Sequence, residues 1–115
     1  MPDDSAINVT SETIGNAAVV TPHGDVDLAR SPVLRNSLRQ VQNAKPGRLI
    51  VDLTMVDYMD SSGVATLVEA LQIARKNNTR MVLCGMKDRV RSIFEIARLD
   101  TVFSIATSRE SAMTA

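Results

Sequence analysis

Residues 49–71 read LIVDLTMVDYMDSSGVATLVEAL, and a change of period inside this stretch decides the fold. Leu49 to Leu53 is an apolar run broken only by Asp52, which suits a strand buried on both faces. From Val64 the spacing changes. Val64, Leu67, Val68 and Leu71 fall at i, i+3, i+4 and i+7, one face of an amphipathic helix, with Glu69, Gln72, Arg75 and Lys76 mostly outside that stripe. Between strand and helix stand Asp60, Ser61, Ser62 and Gly63, which puts two hydroxyls at a helix N-terminus. Backbone N–H groups there lack intrahelical partners, so a small polar side chain or a covalently attached phosphate is well accommodated. Taken alone, these four residues are equally an ordinary strand-to-helix cap.

Toward the N-terminus, Pro46 and Gly47 stop a preceding helix whose apolar face is Leu34, Leu38 and Val41, with Arg30, Arg35, Arg39 and Gln42 largely elsewhere. Ser31 reads as its N-cap and Pro32 as its first residue, because proline loses nothing where the N–H is unpaired anyway. Further back, Ile7, Val9 and the run Ala17 to Thr21 flank Gly15 and Asn16, a pair suited to a tight hairpin turn. Pro22, His23 and Gly24 end the second strand.

Toward the C-terminus, Asn77 and Asn78 turn the chain into a second buried strand, Met81 to Cys84. Val90, Ile93, Phe94 and Ala97 then repeat the helical spacing, Val102 to Ile105 offers a last short strand, and Ser108 caps a terminal turn opened by Arg109 and Glu110. The expectation is an α/β fold over 1–115 as one domain. It has a mixed sheet of four to five strands with an N-terminal antiparallel hairpin, later strands parallel through right-handed crossovers, and about four helices packed on the sheet. Residues 1–6 are expected to be a flexible lead and 107–115 a helical tail.

With 115 residues the chain has room for one hydrophobic core. Thirteen Lys plus Arg balance 13 Asp plus Glu, so no nucleic-acid partner is expected, and the basic cluster between Lys76 and Arg91 reads as solvated surface. Cys84 is the lone cysteine; it forms no internal disulfide, reads as a small core residue and points to a reducing compartment. Pro2, Asp3, Asp4 and Ser5 do not resemble a signal sequence, and no apolar stretch approaches the roughly 18 residues of a membrane span, so a cytoplasmic location without membrane insertion is expected.

Met59 to Gly63 differs from a G-x-S-x-G nucleophile elbow in carrying methionine for the first glycine, and the only histidine, His23, sits beside a turn glycine. No Gly-rich run ends in Lys followed by Ser or Thr, and no His or Cys pair has metal-ligand spacing. The reading is a non-enzyme with no metal and no cofactor. Among the methionines, Met55 and Met81 are expected in the core, Met59 and Met86 at the surface.

Gly24, Asp25, Val26 and Asp27, the stretch Ala29 to Pro32, the block Val51-Asp52-Leu53 through Tyr58 to Gly63, and the segments Val82 to Cys84, Val90 to Ala97 and Leu99 to Phe103 together resemble the STAS family, and within it the bacterial anti-sigma factor antagonists. The resemblance implies that Ser61 is the serine phosphorylated by a partner anti-sigma factor that is itself a serine protein kinase, with a PP2C-type phosphatase reversing the modification. It also implies that Asp25 and Asp27 lie near Asp60 on a partner-facing surface together with Met59, Ser62 and Gly63, in a monomer or weak homodimer. Arg98 departs from the pattern, since many relatives have glycine there to end a helix in the left-handed region. STAS domains also serve as accessory subunits of lipid-transport ABC systems and as stress-signalling scaffold components, which are the alternative functions.

Overall fold

Gly15 takes φ +58°, a conformation side chains resist, and this lets a two-residue turn join β1 (Asn8–Ile14) to β2 (Ala17–His23) in an antiparallel hairpin. The computed structural model describes residues 8–115, so Ile7 and the 1–6 lead lie outside the described residues. After the hairpin come α1 (Ser31–Asn43), β3 (Arg48–Asp52), α2 (Ser61–Lys76), β4 (Arg80–Cys84), α3 (Asp88–Ile96), β5 (Ser104–Ala106) and α4 (Arg109–Ala112). The five strands lie in the order β1-β2-β3-β4-β5, with every pair after the hairpin parallel. The expected element order holds throughout, including Ser108, whose hydroxyl accepts from the Ser111 N–H to cap α4.

Period-two alternation divides the sheet into two unequal cores. Ala18 and Val20, Leu49 and Val51, and Met81 and Leu83 pack in one cluster with Leu34 and Leu38 of α1, Leu67 and Leu71 of α2, and Phe94 of α3. Ala17, Val19, Ile50, Val82, Cys84 and Ala106 form the second cluster with Ala112 of α4 and the neighbouring Met113. Parallel register puts Leu49 between Ala18 and Met81 and Val51 between Val20 and Leu83, so each row of side chains is continuous across the sheet. Asp52, the polar residue in the central apolar run, is only 6 % exposed. Its carboxylate accepts from the Thr54 N–H at 3.0 Å and hydroxyl at 2.7 Å, and pairs with Arg109 at 3.1 Å, so the buried charge is compensated. Burial first, then the Asp52 charge, pushes the Cys84 thiol up to about 11, which makes it an inert core residue.

The structure corrects five local expectations. Ser31 does not cap α1: Arg30 occupies that position, while the Asp27 carboxylate accepts the Arg30 N–H at 3.0 Å and the Asp27 carbonyl accepts the Ser31 N–H at 2.8 Å. An aspartate reaching forward has replaced the serine cap, and Ser31 is the buried first residue of the helix. α2 starts at Ser61 rather than Val64, because Asp60 is the cap. Met55 is 53 % exposed where a core position was expected, and Met59 is 0 % exposed where a surface one was. The last strand begins at Ser104, leaving Val102 exposed in the turn before it. Met81 is buried and Met86 packs partly against the core. Among the described residues no helix is long and apolar enough to cross a membrane.

Arg98 adopts φ +58° despite its side chain. The Leu99 N–H donates to the Phe94 carbonyl at 2.8 Å and the Arg98 N–H to that of Glu95 at 3.0 Å, the pair of bonds that closes a helix through a left-handed residue. The helix end is thus the one a glycine would form, held against the intrinsic preference of arginine. Arg98→Gly is expected to raise unfolding free energy by about 1 kcal/mol, the cost of a Cβ in this conformation. Urea denaturation checks it; a loss of stability would show that the Arg98 side chain contributes more than its backbone costs.

Candidate functional site

β3 delivers the chain to the C-terminal end of the parallel strands, and residues 53–60 cross that end before α2 begins. Val56 and Met59 are pegs sunk fully into the core, while Met55, Asp57 and Tyr58 project outward. The segment is stitched to the one following β2: the Gly24 N–H donates to Met55 O at 3.1 Å, the Val26 N–H to Tyr58 O at 2.9 Å, and the Asp60 N–H to Val26 O at 3.2 Å. Val26 and Met59 thereby form a short parallel bridge. Asp25 and Asp27, on either side of Val26, are carried next to Tyr58–Asp60.

Asp60 then binds in two directions. One carboxylate oxygen accepts from the Ser62 N–H at 2.9 Å, the Gly63 N–H at 3.4 Å and the Ser62 hydroxyl. The other accepts from the Leu28 N–H at 3.1 Å, so the residue that caps α2 also fixes the loop leading into α1. The Ser62 hydroxyl above all, with the backbone N–H donors behind it, holds the Asp60 carboxyl below its ordinary pKa against an opposing desolvation effect.

The two serines differ in consequence. Ser62 is half-buried with its hydroxyl committed to Asp60, whereas Ser61 is exposed and, among the described residues, its hydroxyl has no hydrogen-bond partner. Gly63 is pressed against the bridge: a Cβ there would meet Met59 Cγ at 2.6 Å and the Val26 carbonyl oxygen at 2.9 Å. Only glycine lets the first turn of α2 sit this close to Val26 and turn Ser61 outward.

Of the residues singled out in the sequence, Asp25, Asp27, Asp60, Ser61 and Ser62 come together at the surface. Met59 and Gly63 lie beneath them, so the surface placement of Met59 is corrected. Both act by setting the height and direction of the loop. The Asp27 carboxylate is engaged by the Arg30 guanidinium at 2.7 Å. Sequence reading missed a collar of apolar side chains, Leu28 at 76 % exposure with Met55 and Tyr58, held by the same loop hydrogen bonds. Beside the collar a groove of about 540 Å³ runs between α1 and α2, lined in part by Leu28, Pro32, Arg35, Ser62, Thr66 and Glu69. Arg35 and Arg39 both bind Glu69, and their hydrogen bonds bring its carboxyl down to about 2. No group of three or more potential metal ligands is gathered anywhere among the described residues.

Comparison with known proteins places this geometry in a family. The STAS domain model matches residues 8–112. The anti-sigma-B factor antagonist of Listeria monocytogenes is 35 % identical over 83 residues, 71 % of this chain and 72 % of that protein. The crystal structure of an anti-sigma factor antagonist from Mycobacterium paratuberculosis superposes with a TM-score of 0.89 at 21 % identity, covering 99 % of this chain and 97 % of the other. The Bacillus cell fate determinant SpoIIAA in its phosphorylated form superposes with a TM-score of 0.70 at 19 % identity, covering 90 % and 96 %.

The depressed carboxyl gives Asp60 a signed pH dependence. Its contribution to stability is complete above the ordinary value of 3.8 and is lost as pH falls through the lower value of the folded protein. Between about pH 5 and about pH 2 the native protein should therefore lose more stability than Asp60→Asn, measured as unfolding free energy at each pH. Parallel acid limbs for the two proteins would remove the linkage.

Proposed function

Because the chain belongs to the STAS domain family, and within it to the anti-sigma factor antagonists, we propose that the Ser61 loop is a phosphorylation-controlled docking surface. The unmodified protein binds an anti-sigma factor with serine kinase activity and releases the sigma factor that it holds. Phosphorylation of Ser61 ends that binding, and a PP2C-type phosphatase restores it. The chain works in the cytoplasm by competition between proteins and catalyses nothing itself. One observation carries the reading: the exposed Ser61 hydroxyl, without a hydrogen-bond partner among the described residues, stands beside Asp60, which ties its loop to the first turn of α2 and to Leu28.

Two magnitudes separate an effect on binding from an effect on folding. Ser61 is the first residue of α2, where the helix N-terminus favours a phosphate by roughly 0.3–2 kcal/mol. The fold therefore tolerates the modification. A partner that fits neutral hydroxyls beside Asp25, Asp27 and Asp60 meets about 1.5–2 further negative charges. Each negative group that the partner brings within about 4 Å of the phosphate costs up to about 4 kcal/mol per pair of unit charges at an effective dielectric near 20. At about 1.4 kcal/mol per tenfold, that is close to a thousandfold in affinity. The collar of Leu28, Met55 and Tyr58 supplies the apolar contact such an interface needs at its centre. Asp60 pre-orders Leu28, lowering the entropy lost on docking.

Ser61→Ala should bind the anti-sigma factor constitutively and take up no phosphate, while Ser61→Asp keeps the native circular-dichroism spectrum and loses binding. Affinity capture with both baits, followed by titration of the captured kinase, measures this; stoichiometric phosphorylation of Ser61→Ala would overturn the acceptor assignment. Leu28→Ala should weaken the same complex at least tenfold without moving the melting temperature. Unchanged affinity would exclude the collar from the interface.

A further inference from the structure

The balanced net charge of the chain conceals a separation of charge along the sheet. The connections that enter the parallel strands, from α1 to β3, α2 to β4 and α3 to β5, carry with their flanking residues Lys45, Arg48, Arg75, Lys76, Arg80 and Arg98 against Asp100 alone. The connections at the opposite end, where the Ser61 loop lies, carry Asp25, Asp27, Asp57, Asp60 and Asp88 against Arg30 and Lys87. At the basic end a groove of about 560 Å³ lies between the last turns of α1 and α2. Its walls include Arg39, Lys45 and Lys76, together with Gln42, Asn43 and Asn77, and no acidic residue. Arg39 is shared with Glu69, and Arg48 and Arg80 are turned onto the Ala115 carbonyl. Lys45 and Lys76 have no carboxylate partner among the described residues.

Two features set this groove apart from a solvated basic surface. Gln42, which lines it, is 3 % exposed; its side-chain nitrogen donates to the Ala70 carbonyl at 2.9 Å, while Oε1 has no hydrogen-bond donor among the described residues. A buried amide oxygen without a donor is costly, so Gln42 presents an acceptor to an N–H or O–H that enters the groove. Lys45, just past the end of α1, takes φ +49°, whereas α2 closes with Asn78, a residue type that tolerates this region. A cation beside the carbonyl end of a helix is favourable, but at an exposed site that interaction barely returns what the left-handed backbone costs.

We propose that this groove binds a small phosphate monoester bearing hydroxyl groups, its phosphate held by Lys45 and Lys76 and a hydroxyl donating to Gln42 Oε1. A phosphate monoester carries about 1.5–2 negative charges near neutral pH, which two lysines match as point charges. The amides of Asn43 and Asn77 can both donate to and accept from the remaining hydroxyls. The volume of the groove is that of a small-ligand site. No residue of the Ser61 loop takes part, so this site stands or falls independently of the partner-switching reading.

Proton–nitrogen correlation NMR of the full chain at constant ionic strength, titrated separately with glycerol phosphate, inorganic phosphate and glycerol, tests the proposal. Glycerol phosphate should shift the amide resonances of residues 39–45 and 73–77 saturably and bind at least tenfold more tightly than inorganic phosphate, while glycerol alone has no effect. Lys45→Gly should leave the melting temperature equal or higher and yet weaken glycerol phosphate at least tenfold, a split that a purely structural lysine would not produce. Gln42→Leu should reduce its affinity to that of inorganic phosphate; if that variant fails to fold, Lys76→Gln, expected to weaken binding at least fivefold, takes its place. The absence of saturable shifts would overturn the proposal, as would unchanged affinity in Lys45→Gly. So would equal affinity for glycerol phosphate and inorganic phosphate, the mark of a diffuse basic surface with water on Gln42, or sedimentation with phosphatidylglycerol vesicles without binding of soluble glycerol phosphate, the mark of a lipid surface.

Discussion

The carboxylate of Asp60 holds two chain segments in one arrangement, and the geometry of the exposed serine depends on it. One oxygen completes the first turn of α2 and the other captures the Leu28 N–H, so the β3–α2 and β2–α1 connections cannot move independently. The Val26–Met59 bridge lies directly beneath this tie, and Gly63 allows the helix to rest upon it. A loop of eight residues crossing the end of a sheet would ordinarily be mobile. Here two buried pegs, three interloop backbone hydrogen bonds and a bifurcating side chain make it a rigid support.

The sheet adds a further constraint. In parallel α/β sheets the connections leaving the C-terminal ends of strands are free to carry function, because the strands supply fixed anchor points a few ångströms below. β2, β3 and β4 are parallel, and the segments after β2 and β3 meet at that end. The large core under α1, α2 and α3 anchors the helix that presents Ser61. The smaller one, closed by α4 through Arg109 with Asp52 and Arg48 with the Ala112 carbonyl, holds the central strand from the opposite face.

Much of this was legible in the sequence because the strongest signals are periodic. The passage from a continuous apolar run at Leu49–Leu53 to helical spacing at Val64–Leu71 located the central β-loop-α unit, and Gly15–Asn16 located the hairpin. What escaped were contacts between segments distant in sequence. Ser31 looked like a cap because it precedes Pro32, yet Asp27 folds forward to do that work. Met55 and Met59 exchanged places because burial in the crossing loop follows the direction of the Val26 bridge, which no local period encodes. Leu28, between a carboxylate signature and an Ala-Arg-Ser-Pro stretch, gave no sign that its N–H would be held by a residue 32 positions away. At Arg98 the expectation from propensity was reversed, since the packing of Phe94, Phe103 and Leu99 fixes the exit of α3 more firmly than arginine resists it.

The same cap that positions the loop also separates the two serines chemically. A phosphoryl group on Ser62 would break its hydroxyl's bond to Asp60 and place negative charge against the half-buried carboxylate that closes the helix, so the modification would oppose the fold. On Ser61 the group would project into solvent from the first helical position, at the positive end of the helix dipole and without displacing any hydrogen bond to Asp60. In the proposed switch, then, selectivity between adjacent identical side chains need not come from the kinase alone. It is built into Asp60, which consumes one hydroxyl in holding the helix and leaves the other available, so that a charge added there is felt by whatever docks rather than by the domain that carries it.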